Sequence, residues 1–131
     1  AAKFVIEMQI IDIFADMNAF TFARDSLQKR GYRVLVDGIN PLALYFFDPS
    51  LLKADFIKIA WGPEFASDTQ DSRIVAARET VARTGKDQVI LARVDTEQAI
   101  RWGLNLGVTR FQGHFIDRLA KAIATKTAAA G

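Results

Sequence analysis

The sequence predicts an α/β fold with parallel strands, on three observations. Short β-favouring apolar runs alternate with helix-spaced stretches five times along the chain, the pattern of β-α units joined by crossovers. Several strand runs are continuously apolar, as strands covered on both faces are. No linker or low-complexity stretch divides the 131 residues, a length that suits one domain at roughly 100–200 residues per domain. Two architectures share this pattern, an open doubly wound sheet and a piece of a (β/α)8 barrel. A G-x-G-x-x-G or Walker loop after the first strand would favour the open sheet, and neither is present.

The elements follow in order. Phe4-Val5-Ile6 is a strand ending at Glu7 and reads as buried on both faces. Met17, Phe20, Ala23 and Leu27 lie at helical spacing behind Asp16 as N-cap, and Lys29-Arg30-Gly31 supplies last-turn cations and a glycine stop. Tyr32–Val36 is the second strand, ending at Asp37-Gly38. Asn40-Pro41 opens a short helix through Phe47 that Asp48-Pro49 closes. Phe56–Ile59 is the third strand, and the loop from Trp61-Gly62-Pro63 to Asp71 leads into a helix with Ile74, Val75, Ala77, Arg78 and Val81, ending near Gly85. Val89–Ala92 is the fourth strand. Thr96 caps a helix with Ala99, Ile100 and Leu104 that stops at Gly107, Val108–Phe111 is a brief fifth strand, and Phe115, Ile116, Leu119 and Ile123 mark a last helix. The small, polar tail 125–131 is expected to fray.

Composition narrows the function. Half of the residues are apolar and ten are Phe, ample for a core. The formal charge is +2 with the signs mixed along the chain, so no clustered basic patch points to nucleic acid or to a membrane surface. The absence of Cys excludes a disulfide scaffold, thiolate catalysis and Cys-ligated zinc. His114 is the one histidine, which argues against a multi-histidine metal site or a Ser-His-Asp triad and suits a structural role. No apolar run approaches the ~20 residues of a membrane span, and no signal peptide is visible. The chain begins Ala1-Ala2-Lys3 without Met and reads as a piece of something longer.

In parallel α/β folds, ligand chemistry collects at the C-terminal ends of the strands. There the sequence places Glu7, Asp37, Lys58, Asp95 and Gln112. Carboxylates and an ammonium converging on one mouth suit a divalent metal and phosphate groups. Lys58 interrupts an apolar strand and must reach a mouth or pair with a carboxylate, because an unpaired buried charge is costly. Trp61 and Trp102 are expected at packing contacts rather than stacked on a base, and Lys29-Arg30 at a helix end.

Glu7, Asp37, Asp55-Phe56-Ile57-Lys58-Ile59, Val94-Asp95-Thr96-Glu97-Gln98 and Phe111-Gln112-Gly113-His114-Phe115-Ile116 occur in the order and spacing of a known family. From Phe4 to Leu119 the chain resembles the second half of an EAL domain, the (β/α)8-barrel phosphodiesterase of the bacterial messenger cyclic di-GMP. The resemblance implies a partial TIM-type barrel of about five β-α units, with residues 1–131 a single EAL-like domain or fragment. It also implies roles: Glu7 at a metal-ligand position, Asp37 at the first of two metal-binding aspartates, Lys58 at the catalytic lysine, Asp95 at an acidic motif position, Gln112 at a substrate-contacting glutamine, and Arg118 as a retained arginine.

The departures are as informative. Gly38 stands at the second metal-binding aspartate, Ile39-Asn40-Pro41-Leu42 at the family's Gly-rich loop, Ala60 at the Asp two residues beyond the lysine, Ala92 and Arg93 at a glutamate and a glycine, and Leu119 at a proline. The Glu-Ala-Leu strand and the Asn ligand that follows it are absent. A two-metal hydrolysis needs several carboxylates, so the expectation is a degenerate EAL module with Glu7, Asp37 and Lys58 vestigial, no catalytic residue and no Mg²⁺ or Mn²⁺. It would act as a regulatory scaffold contacting other signalling proteins in the bacterial cytoplasm. The alternative is a cyclic di-GMP receptor using Glu7, Asp37, Lys58, Asp95, Gln112 and Arg118, and an active phosphodiesterase comes third. A barrel takes ~250 residues, so the exposed edges of half a barrel predict a homo-oligomer or packing on a missing N-terminal half.

Overall fold

A computed structural model describes residues 4–40, 43–66 and 72–130. Its elements are β1 (Val5–Gln9), α1 (Ile10–Ala15), α2 (Met17–Lys29), β2 (Arg33–Ile39), α3 (Ala43–Phe46), β3 (Phe56–Ala60), α4 (Ser72–Thr84), β4 (Val89–Ala92), α5 (Glu97–Asn105), β5 (Arg110–Phe111) and α6 (His114–Ala130). The five strands form one sheet in the order β1-β2-β3-β4-β5, and every neighbouring pair is parallel. The order never reverses, so the sheet has no switch point of the doubly wound kind. Sequential parallel order is that of a (β/α) barrel segment.

Local chemistry sets the element ends. Asp16 Oδ1 accepts a hydrogen bond from Ala19 N at 3.0 Å and starts α2. The helix stops where Gly31 takes φ +88°, a conformation glycine adopts without a side-chain penalty. Thr96 caps α5 in the same way as Asp16 caps α2, accepting from Ala99 N at 3.3 Å.

The register splits the sheet into two faces. Ile6, Val34, Val36, Ile57, Ile59, Val89 and Leu91 share one face by the strand pairing. Most of these join Ile13, Phe20 and Val81 from the helices in a single apolar core. The opposite face carries Glu7, Gln9, Arg33, Leu35, Asp37, Phe56, Lys58, Ile90 and Arg110. Phe56 remains buried there because Arg33 and Arg110 lie over its ring, at 5.7 and 5.1 Å from the centroid.

The structure corrects five element-level expectations. β1 runs two residues past Glu7, and it alternates exposed with half-buried positions instead of being covered on both faces, because it is an edge strand with helices on one side. Ile10–Ala15 is a helix that no periodicity announced and no side chain caps at its start. The fifth strand is only Arg110–Phe111, since Val108 N–H donates to Gly103 O and is held by the end of α5. Pro49–Leu52 is a 3-10 turn that Asp48 starts by accepting from Ser50 N at 3.0 Å. α6 continues through the segment after Thr125, where fraying is expected. The helix opening at Pro41-Leu42, and residues 67–71 of the loop that ends at Asp71, lie outside the described residues.

Candidate functional site

The C-terminal ends of β2, β3 and β4 and the turn after β5 surround a cavity of about 880 Å³. Asp37, Lys58, Asp95 and Gln112 all line it, so four of the six residues expected at the mouth meet there. Glu7 joins them through Lys58. The Lys58 Nζ sits 3.3 Å from Glu7 Oε1 and 4.0 Å from Asp37 Oδ2, and the lysine side chain is only 14% exposed. The lysine that breaks an apolar strand is thus paired with two carboxylates, as burial of its charge demands. Gln9 Nε2 donates to Asp37 Oδ2 at 3.5 Å and completes the group.

Asp37 shows the electrostatic outcome. Partial burial pushes its carboxyl up. The Glu7 side chain, the Gly38 N–H at 2.7 Å, the Lys58 ammonium and Gln9 together outweigh burial and hold Asp37 below the ordinary carboxylate value.

The other side of the mouth is built by backbone. Val94 N–H donates to Gln112 O, and Gln112 N–H to Leu91 O, which ties the turn after β5 to the end of β4. Gly113 makes this approach feasible: a Cβ there would collide with the Val94 backbone, and its φ of +153° suits glycine. Asp95 Oδ1 accepts from His114 N at 3.0 Å, so this acidic position starts α6. Arg118 does not line the mouth. It reaches Asp95 O at 3.3 Å and lines a neighbouring hollow of about 650 Å³ together with Asp95, His114 and Lys121. His114 is exposed. Trp61 is buried, and Trp102 stacks on Phe65 at 4.4 Å, so both tryptophans pack within the fold.

Sequence reasoning missed Gln9 and Asn40 as mouth residues and the conformation of Arg93. Arg93 takes φ +57°, which is uncommon for a non-glycine residue and places a guanidinium-bearing residue at the rim. Its stand-in for a family glycine was the available signal. Among the described residues, no group of three or more His, Asp or Glu side chains comes together as metal ligands. The mouth brings the donor-bearing Lys58, Arg93 and Gln112 together with Asp37, which pairs with Lys58, Asp95, which starts α6, and Asp117.

No helix of the described residues is long and apolar enough to cross a membrane. No family model matches the chain, and no curated protein matches it. Among solved structures, it is similar to the S helix-GGDEF-EAL region of Vibrio cholerae LapD in its apo form, with a TM-score of 0.62 and 15% sequence identity. The match covers 86% of this chain and 28% of that one, so the chain spans little more than a quarter of its structural neighbour. At that identity the likeness is one of fold: the chain has an EAL-like α/β architecture, a parallel sheet compatible with part of a TIM-type barrel.

Proposed function

We propose that this chain is a non-hydrolytic EAL-like module of cyclic di-GMP signalling that serves as a protein-interaction and regulatory scaffold. The observation that carries the reading is the placement of Lys58 between Glu7 and Asp37. A pair of divalent cations needs several oxygen ligands free of competing cations. Here the two candidate carboxylates share one ammonium, Gly38 stands where a further ligand would be required, and Asp95 starts a helix. The donor set therefore suits neither Mg²⁺ nor Mn²⁺ in pairs, and no step of hydrolysis is assigned to Lys58. Exposed Ile11, Phe14 and Phe22 supply apolar surface for a protein partner. A bacterial cytoplasmic setting follows from the same reading.

A second reading is favoured by the mouth cavity. Its size and its Lys58, Arg93 and Gln112 donors suit the phosphodiester oxygens of cyclic di-GMP bound without cleavage. One titration separates the readings. Calorimetry with cyclic di-GMP yields no binding heat for the scaffold, whereas micromolar binding weakened by Gln112→Ala establishes the receptor. Turnover of cyclic di-GMP with Mn²⁺ that Lys58→Ala abolishes would overturn both.

A further inference from the structure

We propose that a hollow at the N-terminal end of β3, at the opposite end of the sheet from the mouth, is a second ligand site that takes a phosphate group, either the free ion or a small phosphate monoester. The proposal goes beyond the scaffold reading and shares no residue with the mouth, so the two fail independently. The hollow holds about 360 Å³, the small end of the range for ligand pockets. Two successive connections build it. Ser50, Lys53 and Asp55 precede β3, and Arg83, Thr84 and Gln88 precede β4. Both strands have a neighbour on either side, so the site lies within the run of the sheet.

The polar groups here differ from those of the mouth, where Lys58, Glu7 and Asp37 satisfy one another. Thr84 is 8% exposed, and its Oγ1 is buried without a hydrogen-bond partner. Buried polar groups are nearly always hydrogen-bonded, and leaving one unpaired is costly. This hydroxyl therefore marks a place for a partner from outside the fold. Among the described residues, the Lys53 ammonium and the Gln88 side-chain amide have no partner either. Arg83 uses Nε on Asp48 at 3.0 Å and brings Nη1 to 3.8 Å from Glu79, which leaves its Nη2 donors unused.

The frame around these groups is held by α2. Arg24 Nη1 donates to Leu52 O at 2.8 Å, and Gln28 Nε2 donates to Lys53 O at 3.0 Å. Lys53 N–H donates to Ser50 O at 3.2 Å, and Lys53 takes φ +52°. Its backbone is thus pinned in a sparsely populated conformation while its ammonium stays unused, and strain of this kind gathers at ligand sites. Charge and donor count select the ligand. Lys53 and Arg83 face one carboxylate in the lining, Asp55, whose Oδ2 already accepts from Val34 N at 2.7 Å and from Gln28 Nε2 at 3.2 Å. The unused ammonium, guanidinium, amide and hydroxyl can all donate. A phosphate group meets them with negative charge and with acceptor oxygens in several directions.

Calorimetry of the whole chain in phosphate-free buffer tests this, with inorganic phosphate and glycerol 3-phosphate titrated separately. The expected result is a single bound phosphate group with a dissociation constant of about 1 mM or below. Tighter binding of glycerol 3-phosphate identifies a monoester as the ligand, and tighter binding of inorganic phosphate identifies the free ion. Lys53→Met, at an exposed position, weakens binding by about fivefold, the upper end for an exposed charge pair. Thr84→Val weakens it by roughly tenfold, because the lost bond is buried and runs to a charge. Without the anion, Thr84→Val leaves the melting temperature unchanged or raises it, since it removes an unpaired buried hydroxyl. No heat from either ligand at about 10 mM, binding that either variant leaves unchanged, or binding that Lys58→Met abolishes and Lys53→Met retains would each overturn the proposal. So would a lower melting temperature of Thr84→Val, which would give the hydroxyl a partner inside the fold.

Discussion

On the helix-covered face, β2 and β3 present Val34, Val36, Ile57 and Ile59, none more than 2% exposed. On the other face the same two strands carry Arg33, Asp37 and Lys58. The first face is held by apolar burial, which contributes about 1.5–3 kcal/mol for each fully buried Val, Leu or Ile. On the second, these strands bury Leu35 and Phe56 and otherwise carry ion pairs and cation–ring contacts at partly exposed positions, where each pair contributes about 0–1 kcal/mol. The contrast separates the source of stability from the place of function. A sheet fastened by one face leaves the other free to carry charges that the fold itself does not require.

The largest effect should come from the covered face. Ile57→Ala removes a side chain that is 1% exposed and should lower unfolding free energy by about 2–5 kcal/mol in denaturant titration. A loss below about 1 kcal/mol, the range of exposed ion pairs, would erase the distinction between the faces.

A smaller effect is expected from Lys58→Met. Glu7 and Asp37 remain partly solvated, so the stability change should stay within about 1 kcal/mol. Its signature is electrostatic: without the ammonium, the Asp37 carboxyl titrates at higher pH, which carbonyl NMR follows directly. An unmoved Asp37 titration would show that Lys58 does not govern the group.

The smallest effect lies in the acid limb. Asp37 is held below the ordinary carboxylate value against its partial burial, and so is Asp48, against its own burial, by Ser50 and by Arg83 at 3.0 Å. A depressed folded-state value means the stabilisation is fully present above the unfolded value of about 3.9 and is lost as pH falls through the lower folded values. Asp37→Asn should therefore flatten the fall in melting temperature between about pH 4 and pH 2. An unchanged slope would remove Asp37 from the network.

Much of the fold was legible because local rules agree with one another. Asp16, Gly31 and Thr96 act at the helix ends where residue type alone places them. Val89–Ala92 is a strand with the bounds its apolar run marks. Ile10–Ala15 was hidden because a six-residue helix without a cap has no period to read. Val108 was misplaced because a hydrogen bond to Gly103 decides its conformation, and strand preference does not. At the mouth, Lys58 was visible as a charge inside an apolar run. Gln9 was not, because its role depends on lying beside Asp37 in the register of β1 and β2.

The sequence by itself determined the kinds of element, their order and the requirement that Lys58 find a carboxylate, since these follow from periodicity, capping and the cost of an unpaired charge. Only the tertiary structure decided that the strands lie in sequential order with helices on one face and that Lys58 takes both Glu7 and Asp37. Strand order and register join residues tens of positions apart. No local pattern specifies which of several energetically similar pairings the packed core will favour.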